Sequence, residues 1–389
     1  MSRFLPPLAL MGLSLFPCLA HATTSLFPPV TQLDNGTAVA LSANLAWDIN
    51  HREVDGGPPT NAHDWRRQEV GLVARQPGVW DVQIFRDLHN EMWLGVVLGL
   101  QTKGLTGHDA GRIEIGNIKL AAGLEGVAPT RHMPLMESAA ATQVFHPMVR
   151  GGVNWTLERD RWLLDAGVFG RDIDGFYAGR TQLLRAAWTP TTAGGAKGHV
   201  GLAIVHDDPA QVASPDGTTA SGTARWAMRG VSSLLPDRLA GSGMLTGVDD
   251  TYRQNLQVMW VDGPFWLQSE YFLQQTKRTQ EAADYHAHGG YLSLGWMVKA
   301  PSRRIVQGML MQPTLGAGQI GGELVARIGR VDLDDAGIAG GTLDEWTLGA
   351  NAYVGAHLKL QANVSGMHLE QGSVHHHVRT LQLRTQFFF

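Results

Sequence analysis

From residue 37 to 48 the chain alternates in character. Val39, Leu41, Ala43, Leu45 and Trp47 share one parity, and Ala40, Ser42, Asn44, Ala46 and Asp48 share the other. A period of two, with one apolar face and one small or polar face, predicts a β-strand. The alternation recurs at Leu94, Val96, Leu98 and Leu100, at Val153, Trp155 and Leu157, and at Val200, Leu202 and Ile204. It continues through Leu256, Val258 and Trp260, then Leu292, Leu294 and Trp296, and again at Leu358, Leu360, Ala362 and Val364. No amphipathic helical pattern interrupts it after the N-terminus, so the expected fold class is all-β.

Turn-forming clusters such as Asp55-Gly56-Gly57-Pro58-Pro59 and Ala193-Gly194-Gly195 separate these runs, at a spacing suited to antiparallel neighbours. No linker divides the chain. A soluble sandwich also alternates, but its apolar face packs into a core of bulky residues. Here the second face is small, polar or charged over many strands, the pattern of a transmembrane antiparallel β-barrel with lipid outside and water inside. Trp47, Trp80, Trp188, Trp260, Trp296 and Trp346 fall at or near the ends of apolar parities, as an interfacial aromatic belt requires. The last strand carries Leu381, Leu383, Thr385, Phe387 and Phe389 on one parity. A strand running to a final aromatic residue suits barrel closure and recognition by outer-membrane assembly machinery.

At the other end, Arg3 precedes the apolar run Phe4 to Leu19, which ends at the small-x-small triplet Ala20-His21-Ala22. This reads as an export signal, residues 1–22, cleaved after Ala22, with residues 23–389 forming the barrel. The single cysteine, Cys18, lies inside that leader, so the mature chain has no disulfide, which fits a bacterial cell envelope. A formal charge of −4 excludes a surface given over to nucleic acid but leaves room for a local basic site.

Gly116-Asn117-Ile118-Lys119, then Gly123-Leu124-Glu125 and Pro134-Leu135-Met136-Glu137, resemble the inward-folded loop of the phosphate-selective porin O and P family. Further landmarks follow in family order: Asp165 to Gly170, Gly263-Pro264-Phe265 leading to Glu270-Tyr271-Phe272, and Gly289-Gly290-Tyr291. Glu323 to Arg327 and Leu348 to Asn351 before Tyr353 complete the series. The resemblance implies an outer-membrane barrel of about 16 strands, usually homotrimeric, with a constriction loop and passive uptake of small anions such as phosphate or polyphosphate. It implies neither a cofactor nor catalysis. The family's hydroxyl-rich T-S-S stretch is replaced by Ala128-Pro129-Thr130, and lysines are few.

If the apolar parity faces lipid, then Arg185, Arg225, Arg229, Arg253, Arg327, Lys359 and Arg384 face the lumen as a basic lining. Asp48, Asp81, Asp165, Glu270 and Glu323 accompany them, so some of these cations are expected to brace the wall instead. In the loop, Thr130, Arg131 and His132 offer a hydroxyl and a fork of donors suited to an anionic oxygen. Lys119 stands at the loop's start. Glu125 and Glu137 are expected to tie the loop to wall arginines. The expected activity is diffusion of small anions, and the alternative is a general non-selective pore. A barrel enzyme or a secreted β-protein stands further behind.

Other motifs carry less. Gly316-Ala317-Gly318-Gln319-Ile320-Gly321 matches a dinucleotide fingerprint, yet strand alternation follows where a helix is needed, so it reads as a turn. His375-His376-His377 reads as a solvated loop without a metal, because adjacent histidines on a strand point apart. No G-x-S-x-G elbow supports a hydrolase.

Overall fold

The computed structural model describes residues 30–389 apart from 211, 214–218, 221, 230–233, 236–237, 280–281 and 336. The leader and its cleavage point lie outside the described residues. Sixteen antiparallel strands close into one barrel. The first half comprises β1 (Ala38–Val54), β2 (Thr60–Gln76), β3 (Trp80–Asp87), β4 (Met92–Gln101), β5 (Arg112–Lys119), β6 (Val149–Arg159), β7 (Trp162–Gly170) and β8 (Arg180–Trp188). The second comprises β9 (Lys197–Asp208), β10 (Leu245–Asp262), β11 (Phe265–Arg278), β12 (Tyr285–Val298), β13 (Ile320–Asp335), β14 (Ile338–Val354), β15 (Leu358–Gln371) and β16 (Val374–Phe388).

Each strand pairs with the next, and β16 returns to β1 in register from Asn44 opposite Phe388 to Val54 opposite Val378. Full closure removes the open edge that a sheet cannot present to lipid. Phe389 extends the seam, donating its N–H to the Ala43 carbonyl at 3.0 Å and accepting from Ser42 Oγ at 2.7 Å.

The faces are inverted relative to a soluble protein. Leu41 is 53% exposed while Asp48, on the opposite parity of the same strand, is 0% exposed. The polar parity therefore points inward, and the apolar parity forms the outer band. Trp80, Trp188, Trp260 and Trp296 girdle the rim that carries the chain ends. Trp47 and Trp346 mark the other boundary. Trp47 packs edge-on to Trp65 at 5.4 Å, and past Ile49 the outward positions of β1 become His51 and Glu53.

Residues 120–148, between β5 and β6, fold in from the rim opposite the chain ends, and most of them are buried. Residues 299–319, between β12 and β13, rise from the terminal rim as a small hairpin in which Arg304–Val306 pairs with Met309–Met311. The sequence pattern predicts no helix, but among the described residues two short ones form: α1 (Thr102–Thr106) and α2 (Ala140–Phe145). Each is too short to show a helical period, and α2 holds its shape through tertiary contacts. Its first turn receives two carboxylates: Ala139 N donates to Glu125 Oε2 at 2.8 Å and Ala140 N to Glu345 Oε1 at 2.9 Å. Its apolar side stacks Phe145 on Phe272 at 5.7 Å, within a cluster that includes Trp226 and Met228 of the connection following β9.

His375, His376 and His377 lie in β16 and not in a loop. Gly316 to Gln319 form the expected turn before β13, closed by Gln319 N–H donating to the Gly316 carbonyl at 3.1 Å.

Candidate functional site

The lumen loop is held by a frame assembled from distant strands. Gly123 starts it: a Cβ there would lie 2.8 Å from Glu270 Oε1, so only glycine admits this approach. The Glu270 carboxylate then accepts the backbone N–H groups of Leu124 at 2.8 Å and Glu125 at 3.0 Å, with the Tyr291 hydroxyl at 2.6 Å. Glu125 pairs with Arg327, whose Nη1 donates to the Glu137 carbonyl at 3.0 Å. Lys359 Nζ donates to the carbonyls of Arg131 and Met133 at 2.9 and 3.2 Å. Arg384 binds Asp48 through two bonds of 2.7 Å and reaches the Met136 carbonyl at 3.0 Å.

The inserted hairpin joins this frame. Arg303, which the sequence reading did not single out, donates to both oxygens of Glu323 and to the Tyr353 hydroxyl. Its Nη1 reaches the His132 carbonyl at 2.8 Å. The paired Glu323 carboxylate holds the Arg303 guanidinium well above its ordinary pKa. Asn351 donates to Glu323 and to the Pro134 carbonyl, both at 2.7 Å. The landmarks scattered from Gly123 to Tyr353 therefore meet in space, and what they build is the support of the loop.

The predicted lumenal cations divide accordingly. Arg327, Lys359 and Arg384 are braces, as is Arg185, which sits 3.4 Å from Asp165 and donates to the carbonyls of Ala121 and Gln307. Arg253 pairs with Asp207 at 2.5 Å under the Trp226 ring. Arg225 is exposed and lines the same open space as Arg66 and Arg67. The Arg229 side chain lies outside the described residues.

The open space lies to one side of the loop. A vestibule of about 610 Å³ is bordered by Arg66, Arg67, Lys119, Thr130 and Arg225. A chamber of about 170 Å³, lined by Asn44, Glu69 and Arg131, shares Arg67, Lys119 and Thr130 with it. Lys119 also borders a void of about 10 Å³ further in. It therefore stands where all three spaces meet, with Nζ donating to the Ala128 carbonyl at 3.3 Å.

Thr130 Oγ1 accepts from Asn44 Nδ2 at 2.9 Å. Arg131 is 3% exposed, and its Nε and Nη2 have no hydrogen-bond partner among the described residues. Burial lowers its pKa to about 10, which leaves it cationic at neutral pH. His132 is different. Its ring is buried, borders neither space, and its pKa lies well below the ordinary value through burial and the nearby charges of Arg131 and Lys359. It is a neutral ring and not a charged donor.

One lining arginine escapes a parity reading. Ala46 pairs with Arg67 but Trp47 pairs with Trp65, so Arg66 is the extra residue of a β-bulge. The bulge lets Arg66 and Arg67, consecutive in sequence, both border the vestibule. The doublet was visible, but strict alternation assigns one of its members to the lipid side. Acids facing the same space are engaged: Glu137 lies 3.5 Å from Arg66, and Glu69 accepts from Asn44 Nδ2 at 2.7 Å with Arg67 at 3.6 Å.

Residues 90–389 match the family described as phosphate-selective porin O and P. An uncharacterized protein of Caulobacter vibrioides is 26% identical over 251 residues, which are 60% of this chain and 49% of that protein, so the match spans about half of the relative. The fold is similar to outer-membrane expressed OmpT of Vibrio cholerae, with TM-score 0.57, 10% identity, and coverage of 93% of this chain and 100% of that one. It is also similar to the anion-selective porin from Comamonas acidovorans, with TM-score 0.54, 11% identity, and coverage of 91% and 100%. The outer membrane channel DcaP of Acinetobacter baumannii gives TM-score 0.56 at 9% identity, covering 92% and 99%.

Proposed function

Because this chain belongs to the phosphate-selective porin O and P family and is an outer-membrane porin, we propose that it passes small anions, phosphate or polyphosphate among them, by diffusion past Lys119 and Arg131 without catalysis. The rim opposite the chain ends then faces the exterior, and the homotrimer seen in the family is part of the same reading. The observation that carries the proposal is the imbalance of the chamber. Arg67, Lys119 and Arg131 face it against Glu69 alone.

In a narrow space with low-dielectric walls, this excess favours anion entry and raises the cation barrier. Arg131 lines the chamber with its buried Nε and Nη2 unpartnered among the described residues, a guanidinium whose donors suit two oxygens of a tetrahedral anion, with Thr130 also in the lining. Thr130 is the one hydroxyl the loop offers, and Ser42 and Asn44 in the same lining already donate to Phe389, Glu69 and Thr130, so phosphate should block the chloride current only modestly.

Reversal potentials in planar bilayers under a potassium chloride gradient test this. The unsubstituted pore should prefer chloride, and Arg131→Ala and Lys119→Ala should each move the reversal potential toward zero. Cation preference, or no change in either variant, overturns the assignment in favour of a general diffusion pore. Turnover of an ester or peptide by the purified protein would instead support a barrel enzyme.

A further inference from the structure

We propose that the outward face of the β15–β16 hairpin binds one divalent d-block cation of the zinc class through His368, Glu370 and His375. The hairpin register places Glu370 opposite His375 and His368 opposite His377. Residues two apart on a strand share a face, so three imidazoles and one carboxylate form a square on one side of a single turn. Glu370 Oε1 lies 3.6 Å from His368 Nε2 and 3.6 Å from His375 Nδ1. One ligand atom from each of the three residues falls within 4.8 Å of the others. His377 backs His368 as a parallel ring at 4.5 Å.

Two imidazoles and one carboxylate are a nitrogen-rich set for zinc, with bonds of about 2.0–2.2 Å and a fourth position left for water. Magnesium and calcium, which require mostly oxygen ligands, suit it poorly. All three side chains are substantially exposed, so small rotations close the remaining distance without disturbing the barrel. His376 is not part of the set. It points the other way, with Nδ1 2.5 Å from Asp55 Oδ2.

The location also fits an aqueous ion. His368 is the register partner of Asp344, which pairs with Arg330 at 3.1 Å, whereas Trp346 opposes Gly366 two positions deeper. The cluster therefore lies on the water side of the aromatic boundary, at the rim opposite the chain ends.

Calorimetric titration of the full chain, folded in detergent, with Zn²⁺ tests the proposal. One ion per chain should bind saturably, and Glu370→Gln or His375→Ala should weaken binding by at least about tenfold. His286→Ala, which breaks the separate His286–Asp335 pair on β12 and β13, should leave it unchanged. Co²⁺ should give the intense visible absorption of a four-coordinate site. In a readout that needs no variant, Zn²⁺ should protect His368 and His375 from carbethoxylation. Absence of saturable Zn²⁺ binding, equal binding of Mg²⁺, or unchanged affinity in both Glu370→Gln and His375→Ala overturns the assignment.

Discussion

Arg384 on the last strand grips Asp48 on the first through two hydrogen bonds of 2.7 Å, and the same guanidinium holds the Met136 carbonyl of the lumen loop at 3.0 Å. Barrel closure and loop placement thus share one side chain. Both partners are buried, so removing one leaves an uncompensated charge in the wall, a change that typically costs about 3–5 kcal/mol. Arg384→Ala should therefore lower the unfolding free energy of the folded barrel by an amount in that range. Asp48→Asn combined with Arg384→Gln should recover part of the loss. Heat-modifiability on detergent gels and urea unfolding would show it, and equal stability of Arg384→Ala and the parent would refute the coupling.

Braces and lining residues should separate functionally. Arg67 borders both open spaces, whereas Lys359 is buried against the carbonyls of Arg131 and Met133. Arg67→Ala is expected to shift the reversal potential toward zero with a quiet open-channel current. Lys359→Met should leave the reversal potential near that of the parent but raise current noise, because it frees the loop. The same shift in both variants would contradict the division.

Gly123→Ala places a methyl group 2.8 Å from Glu270 Oε1. Overpacking of this kind costs about 1–3 kcal/mol, and here it opposes the two N–H bonds that Glu270 accepts from Leu124 and Glu125. The barrel should still form. Its loop should become protease-sensitive and its conductance more variable between molecules, and a parent-like digestion pattern would count against the Glu270 anchor.

His146 carries the pH prediction. Its Nε2–H donates to the Leu120 carbonyl at 3.1 Å and its Nδ1 accepts from Met148 N–H at 3.1 Å, an arrangement that requires the neutral ring. Burial, with the Lys119 charge nearby, lowers its pKa to about 3 from the ordinary 6.5. Between those values the unfolded chain binds a proton that the folded chain refuses, so stability falls as pH drops from 6.5 toward 3. His146→Gln should flatten that decline. Denaturant midpoints at pH 7 and pH 4.5 would reveal it, and an unchanged acid slope would show that other groups dominate.

The alternation along the chain determined by itself which residues meet lipid and which meet the lumen, because a pleated strand admits only two faces and Leu41 and Asp48 cannot share one. It also placed Trp80, Trp188, Trp260 and Trp296 on a girdle, and the spaced landmarks from Gly123 to Tyr353 carried the family. The division of the lumenal cations came only with the tertiary structure. Arg327, Lys359 and Arg384 share the inward parity with residues that line open water, and which of them meets a loop carbonyl depends on where residues 120–148 run. Arg66 was hidden because a bulge breaks the period on which parity rests. Arg303 was hidden because the hairpin that carries it is read as a connection. The square formed by His368, Glu370, His375 and His377 needed the register of the last turn, since three adjacent histidines alone point to alternate sides, and only the opposing strand supplies the second imidazole and the carboxylate.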